Sequence, residues 1–92
     1  MELELRTFAN FRDMIGQKTL RREYDGDAVS AGDVLHGIQE EYPDMELFDD
    51  DGTLQEFVTV MKNGREITFI DGLETELEDG DTMSVFPPVA GG

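Results

Sequence analysis

One stretch of this chain holds a helical period over three turns. Val34, Leu35, Ile38 and Tyr42 recur at three- and four-residue spacing, which places them on one face of an α-helix. Ser30-Ala31-Gly32-Asp33 ahead of them has the pattern of a capping box, and Pro43 ends the run. Gly37 weakens the helix by about 1 kcal/mol relative to alanine. The chain has 92 residues, so it forms one domain at most. This helix is therefore the one element long enough to cover a sheet, and a sheet covered on one face leaves the other partly open.

The remaining segments read mainly as strands. Residues 1–7 alternate, with Leu3 and Leu5 on one face and Glu2, Glu4 and Arg6 on the other. Phe8, Phe11 and Ile15 then share one face of a short helix, and Gly16 is placed to stop it. Residues 18–25 form a second strand, expected antiparallel to the first. Residues 44–55 are acidic and read as an exposed loop centred on Asp50-Asp51-Gly52. Residues 57–62 and 66–70 read as two strands around Asn63-Gly64, a pair that tolerates the positive φ of a tight hairpin. Residues 73–77 read as a short connection and Asp79-Gly80-Asp81 as a turn. The last strand is 82–86, with Met83 and Val85 facing one way and Ser84 and Phe86 the other. Pro87-Pro88 cannot extend a sheet. The order predicts an α+β fold: a mixed sheet packed on one main helix, with a second, short helix.

Charge narrows the function. Asp and Glu total 22 against 7 Lys and Arg, a net charge of −15. Such a surface repels nucleic-acid backbones and anionic membranes. It fits a salty cytoplasm, where the Debye length falls to about 3 Å at 1 M and self-repulsion nearly vanishes. Mimicry of a nucleic acid and cation binding are the other two causes to weigh. The absence of cysteine excludes disulfides, thiolate metal sites and cysteine nucleophiles. No apolar run approaches the roughly 18 residues of a membrane span, and residues 1–4 lack a signal-peptide pattern. The expected compartment is the cytoplasm.

Catalytic chemistry finds little footing. The single histidine, His36, lies off the apolar helix stripe and reads as solvent-facing. A calcium loop aligned on Gly52 would need acids where Leu47 and Val58 stand. No phosphate-binding loop or nucleophile–base pair is present. A hydrolase or transferase is thus disfavoured.

The C-terminus is more informative. Pro87-Pro88 stiffens the exit, and Gly91-Gly92 carries no side chains, so the end could thread a narrow channel and offer its carboxylate to a catalyst. Gly-Gly ends also arise as frayed termini. Asp79-Gly80-Asp81 followed by Val85-Phe86-Pro87-Pro88-Val89-Ala90-Gly91-Gly92 resembles the C-terminal signature of the ubiquitin-like sulfur carriers. These include the small subunit of molybdopterin synthase and the thiamine sulfur carrier. Leu5 to Gly16, with Phe8-Ala9 and Phe11-Arg12, is also similar to the molybdopterin-synthase subunit. With the acidic, cysteine-free composition, the whole is most similar to the small archaeal modifier proteins of halophiles.

The resemblance implies a β-grasp, ubiquitin-like domain over residues 1–88 and a flexible tail over 89–92. It implies a carrier rather than an enzyme. An E1-like partner would use ATP to adenylate Gly92, and no cofactor would be bound to the chain itself. The activated end would then join target lysines as an isopeptide. Alternatively it would become a thiocarboxylate for molybdopterin synthesis or tRNA thiolation, with the molybdopterin-synthase large subunit as partner. Gly91, Ala90 and Val89 would form the tail, and Phe86, Pro87 and Pro88 the docking segment. A monomer forming hetero-complexes is expected. Lys18 and Lys62 are candidate acceptors of another modifier, with Lys62, beside its turn, expected to be the more accessible. The competing class is an acidic binding module whose Gly-Gly end is incidental.

Overall fold

The computed structural model describes residues 1–87. Alternation at the N-terminus becomes strand β1 (Glu2–Thr7), with Leu3, Leu5 and Thr7 buried and Glu2 and Arg6 exposed, as the pleat requires. Helix α1 (Ala9–Ile15) follows, burying Phe11. Gly16 closes it at φ 85°, its N–H donating to the Arg12 carbonyl at 2.8 Å; that left-handed conformation favours glycine. Strand β2 (Thr19–Glu23) returns antiparallel to β1, with Arg21 opposite Glu4.

A two-residue strand β3 (Val29–Ser30) leads into helix α2 (Ala31–Glu41). Ser30 Oγ accepts the Asp33 N–H at 3.0 Å, as the capping pattern predicted. Val34, Leu35 and Ile38 are buried in the core, and Tyr42 packs against it. Strands β4 (Thr59–Lys62) and β5 (Arg65–Glu66) flank Asn63-Gly64, whose φ values are 50° and 86°, the geometry that a tight hairpin demands. Strand β6 (Glu76–Leu77) precedes the Asp79-Gly80-Asp81 turn, and β7 (Thr82–Phe86) is the last strand.

The main sheet has the order β2–β1–β7–β4–β5, and a second sheet joins β3 to β6. Among the described residues only β1 and β7 run parallel. The first and last strands are thus central neighbours, and α2 lies across one face. This is the β-grasp arrangement that the resemblance implied.

Three local expectations fail. The 44–55 segment is not simply an exposed loop: Met45 and Leu47 are buried in the core, and a bridge between Phe48 and Leu54 closes the acidic turn. Acids on both sides masked these two apolar anchors. The strand expected at 66–70 stops at Glu66 and becomes a 3-10 turn, Ile67–Phe69. There the chain leaves the sheet edge for the helix side, and a 3-10 turn advances less per residue than a strand. The connection expected at 73–77 contains β6, which pairs with β3 through Val29–Leu77 and Ser30–Glu76. Beside it, a 3-10 turn at Gly72–Glu74 lies close on α2: a Cβ at Gly32 would stand 3.0 Å from the Leu73 carbonyl oxygen. His36 is exposed as expected, but its ring stacks on Phe48 with centroids 4.0 Å apart.

Candidate functional site

The site begins with what fixes β7, because β7 delivers the chain end. Asp79 Oδ1 accepts the Glu2 N–H at 2.7 Å. Gly80 N–H donates to the Glu2 carbonyl, and Glu4 N–H to the Asp81 carbonyl. Asp81 also reaches the β4–β5 hairpin: its Oδ1 accepts from Asn63 Nδ2 at 2.9 Å, and its Oδ2 lies 3.8 Å from Lys62 Nζ. Asn63 in turn accepts the Thr82 N–H through Oδ1 at 2.8 Å. The Asp-Gly-Asp turn therefore clamps β7 to both of its neighbours at the point where the strand starts. Burial pushes the Asp81 carboxyl up, but the Glu78 N–H, the Asn63 amide and Lys62 outweigh it, so its pKa lies below the usual carboxylate value.

Along β7, Met83 and Val85 point into the core while Ser84 and Phe86 face away from α2. The parity read from the sequence holds here. Phe86 stacks on Phe8 with centroids 4.3 Å apart and planes 11° from parallel. Phe8 is not helical. It is the extended N-cap of α1, at φ −134° and ψ 156°, so it continues the outer face of β1 beyond Glu4 and Arg6. Phe86 is paired with Thr59 and Ser84 with Met61 in β4. Phe57, two residues ahead of Thr59, is 70% exposed. The Phe8–Phe86 stack thus lies where the described chain ends, with Glu4 and Arg6 on the same outer face of β1. Glu4 Oε2 accepts from Thr82 Oγ1 at 3.1 Å and lies 3.4 Å from Arg6 Nε.

The expected site residues divide as follows. Phe86 lies on the open face as anticipated. Pro87 is buried, so it seats the exit against the domain and does not present a docking ring. Pro88, Val89, Ala90, Gly91 and Gly92 lie outside the described residues. Phe8 and Phe57 were not singled out from the sequence as docking residues. Counting by twos from Glu4 would have found Phe8, but its spacing to Phe11 assigned it to the helix. The two lysines reverse the expected ranking. Lys62 is half-buried and its Nζ donates to the Glu76 carbonyl at 2.9 Å, whereas Lys18 is exposed. Adjacency to a turn says nothing about a carbonyl supplied from β6.

The arrangement suits recognition and presentation more than catalysis. It offers an open apolar face and a last strand clamped to both of its neighbours. Comparison with known proteins gives the same direction. The ThiS family pattern matches residues 5–92. Small archaeal modifier protein 3 of Haloferax volcanii is 50% identical over 93 aligned residues, covering the whole of both chains. The crystal structure of SAMP1 from Haloferax volcanii superposes with a TM-score of 0.82 at 33% identity, again over the whole of both chains. A shorter match, 42% identical over 41 residues and 45% of this chain, is to the sulfur carrier protein CysO of Mycobacterium tuberculosis, of which it covers 44%.

Proposed function

Because this chain belongs to the ThiS family, we propose that it is a ubiquitin-like protein modifier, joined through Gly92 to lysines of target proteins. Full-length identity to a small archaeal modifier protein is the observation that carries this reading. The clamped β7 and the aromatic face beside the chain exit support it.

Chemistry on this chain is confined to its terminal carboxylate. A carboxylate oxygen of Gly92 attacks the α-phosphate of ATP held by an E1-like enzyme, and pyrophosphate leaves. The acyl-adenylate so formed has AMP as a good leaving group. A lysine amine then attacks the acyl carbon, the C–O bond of the mixed anhydride breaks, AMP leaves, and an isopeptide bond takes its place. The chain contributes docking and reach. Phe8 and Phe86 supply the apolar contact that aromatic anchors give an interface. Pro87 fixes the direction of departure. Pro88, Val89, Ala90 and Gly91 span the distance to the catalyst, and Gly91 and Gly92 keep the end slim. ATP belongs to the partner, and the chain is a substrate.

A second reading has its own support. The match to a sulfur carrier protein favours a thiocarboxylate at Gly92, formed when a sulfur donor attacks the same adenylate. Such a carrier would serve molybdopterin synthesis, with the molybdopterin-synthase large subunit as partner, or tRNA thiolation. Both uses share the activation step, and one chain can serve both. We further propose that the chain acts as a monomer in the cytoplasm; no helix among the described residues is long and apolar enough to cross a membrane.

Mass spectrometry of the chain from its native cell separates these readings. Lysine adducts carrying the tail establish the modifier. A gain of about 16 Da at Gly92 without adducts, the oxygen-to-sulfur exchange, establishes the carrier alone. Deleting Gly91 and Gly92 should abolish both signals. Unchanged adducts after that deletion would refute attachment through this terminus.

A further inference from the structure

We propose that Asn63 is a site of self-modification whose product releases β7: when the β4–β5 hairpin opens, the Asn63 carboxamide cyclises onto the Gly64 nitrogen, loses ammonia and hydrolyses to aspartate or isoaspartate. The inference goes beyond the modifier reading and does not depend on it. Asparagine followed by glycine favours this chemistry, because no Cβ shields the following nitrogen. The chain has two asparagines, Asn10 and Asn63, and only Asn63 precedes a glycine. Asn63 and Gly64 are both exposed, so water reaches them.

The folded hairpin holds the reaction back. Asn63 Nδ2 donates to Asp81 Oδ1 at 2.9 Å, and Asn63 Oδ1 accepts the Thr82 N–H at 2.8 Å. Both ends of the carboxamide are tied toward the start of β7. While they hold, its carbon cannot swing onto the Gly64 nitrogen. The backbone is tied as well, since the Asn63 N–H donates to the Thr82 carbonyl at 2.8 Å. Its φ of 50° belongs to the two-residue turn. Each side-chain bond slows release about tenfold, so the two together slow it about a hundredfold.

Once the hairpin opens, the Gly64 nitrogen attacks Cγ of Asn63 and gives up its proton. The new C–N bond forms, the bond from Cγ to Nδ2 breaks, and ammonia leaves with the electron pair. Water then opens the succinimide ring. Attack at Cγ gives aspartate. Attack at the main-chain carbonyl gives isoaspartate, with the backbone rerouted through Cβ. Either product puts a carboxylate where Asp81 Oδ1 had a donor. Lys62 is already engaged by the Glu76 carbonyl and by Asp81, so the second charge is left to repel the first. The clamp between the hairpin and β7 then cannot close as before. A transient opening becomes permanent, and the modified residue records that β7 was released.

Three measurements on the full chain test this. In the first, the chain is incubated folded in molar KCl and unfolded in guanidinium chloride, then cut after glutamate, which yields residues 57–66 as one peptide. A gain of about 1 Da in that peptide marks loss of the carboxamide. It should accumulate about a hundredfold faster in the unfolded chain. Equal rates would overturn protection by the clamp. In the second, Gly64→Ala is compared with the natural chain in guanidinium chloride, where folding plays no part. The gain should slow about tenfold, and an unchanged rate would overturn cyclisation onto this nitrogen. In the third, the incubated chain is returned to molar KCl, and the fraction modified at Asn63 is separated by anion exchange from the unmodified fraction. Amide hydrogen exchange at Thr82 should be about tenfold faster in the modified fraction. Failure of the modified fraction alone to refold carries the same meaning. Equal protection of Thr82 in the two fractions would overturn the release of β7.

Discussion

The Phe8–Phe86 stack can be tested by a double-mutant cycle. Each ring is partly exposed, so alanine at either position removes roughly 100 Å² of buried apolar area. At about 25 cal/mol per Å² this costs about 2.5 kcal/mol. Residual burial in the unfolded chain lowers it to about 2 kcal/mol. Offset-stacked rings contribute about 0.5–1.5 kcal/mol beyond area, and the centroid distance of 4.3 Å and tilt of 11° meet that geometry. Each single alanine should therefore cost about 3 kcal/mol, and Phe8→Ala with Phe86→Ala about 5 kcal/mol, not the roughly 6 kcal/mol of two independent losses. Urea unfolding at fixed molar KCl reads all four corners of the cycle. Binding of the same four proteins to the activating enzyme gives the functional counterpart. Loss of the Phe86 ring should weaken capture about tenfold, and Phe8→Ala should weaken it through the lost support. Additivity within about 0.3 kcal/mol in the unfolding cycle would show that the rings do not brace one another. The docking role of Phe8 would then fall with that result.

Three further outcomes follow from the same geometry. Gly37 has open space beyond its Cα, whereas a Cβ at Gly32 meets the Leu73 carbonyl at 3.0 Å. In thermal melts, Gly37→Ala should stabilise by about 0.5–1 kcal/mol, and Gly32→Ala should destabilise by about 1 kcal/mol; equal gains would contradict the close approach. The lowered Asp81 pKa stabilises the fold above the ordinary carboxylate value, and this contribution is lost as pH falls through the lower folded value. Asp81→Asn should therefore cost about 1 kcal/mol at pH 7 and flatten the stability profile below pH 4; an unchanged acid limb would refute this. The net charge of −15 predicts a higher melting temperature in molar KCl than in dilute buffer, and a salt-independent melt would reject salt adaptation as the cause of the acidity.

What could be read in the sequence was local. Helix α2 was legible because Val34, Leu35 and Ile38 repeat at its own period and Ser30 caps it within one turn. The β4–β5 hairpin was legible because two adjacent residues must adopt positive φ. The outward direction of Phe86 followed from counting by twos along β7. The failures share a non-local cause. Strands of two residues, such as β3 and β6, are too short to show a period, and only each other's presence makes them strands. Met45 and Leu47 lie among acids, yet tertiary packing buries them. Lys62 sits beside a turn, but Glu76 and Asp81, remote in sequence, occupy its amine. The terminal Gly-Gly signal was plain in the sequence, whereas the aromatic face that accompanies it needed Phe8 and Phe86, 78 positions apart, to meet.

The central position of β7 has a mechanical consequence. A target attached to this chain transmits any pull through the last strand. That strand lies between β1, parallel to it, and β4, antiparallel to it. Force along its axis loads both ladders in shear, so several hydrogen bonds must fail together. An edge strand pulled across the sheet would instead unzip one bond at a time. The tag is thus anchored by its strongest direction, and a motor dragging on the attached protein meets the domain as a stop rather than as thread.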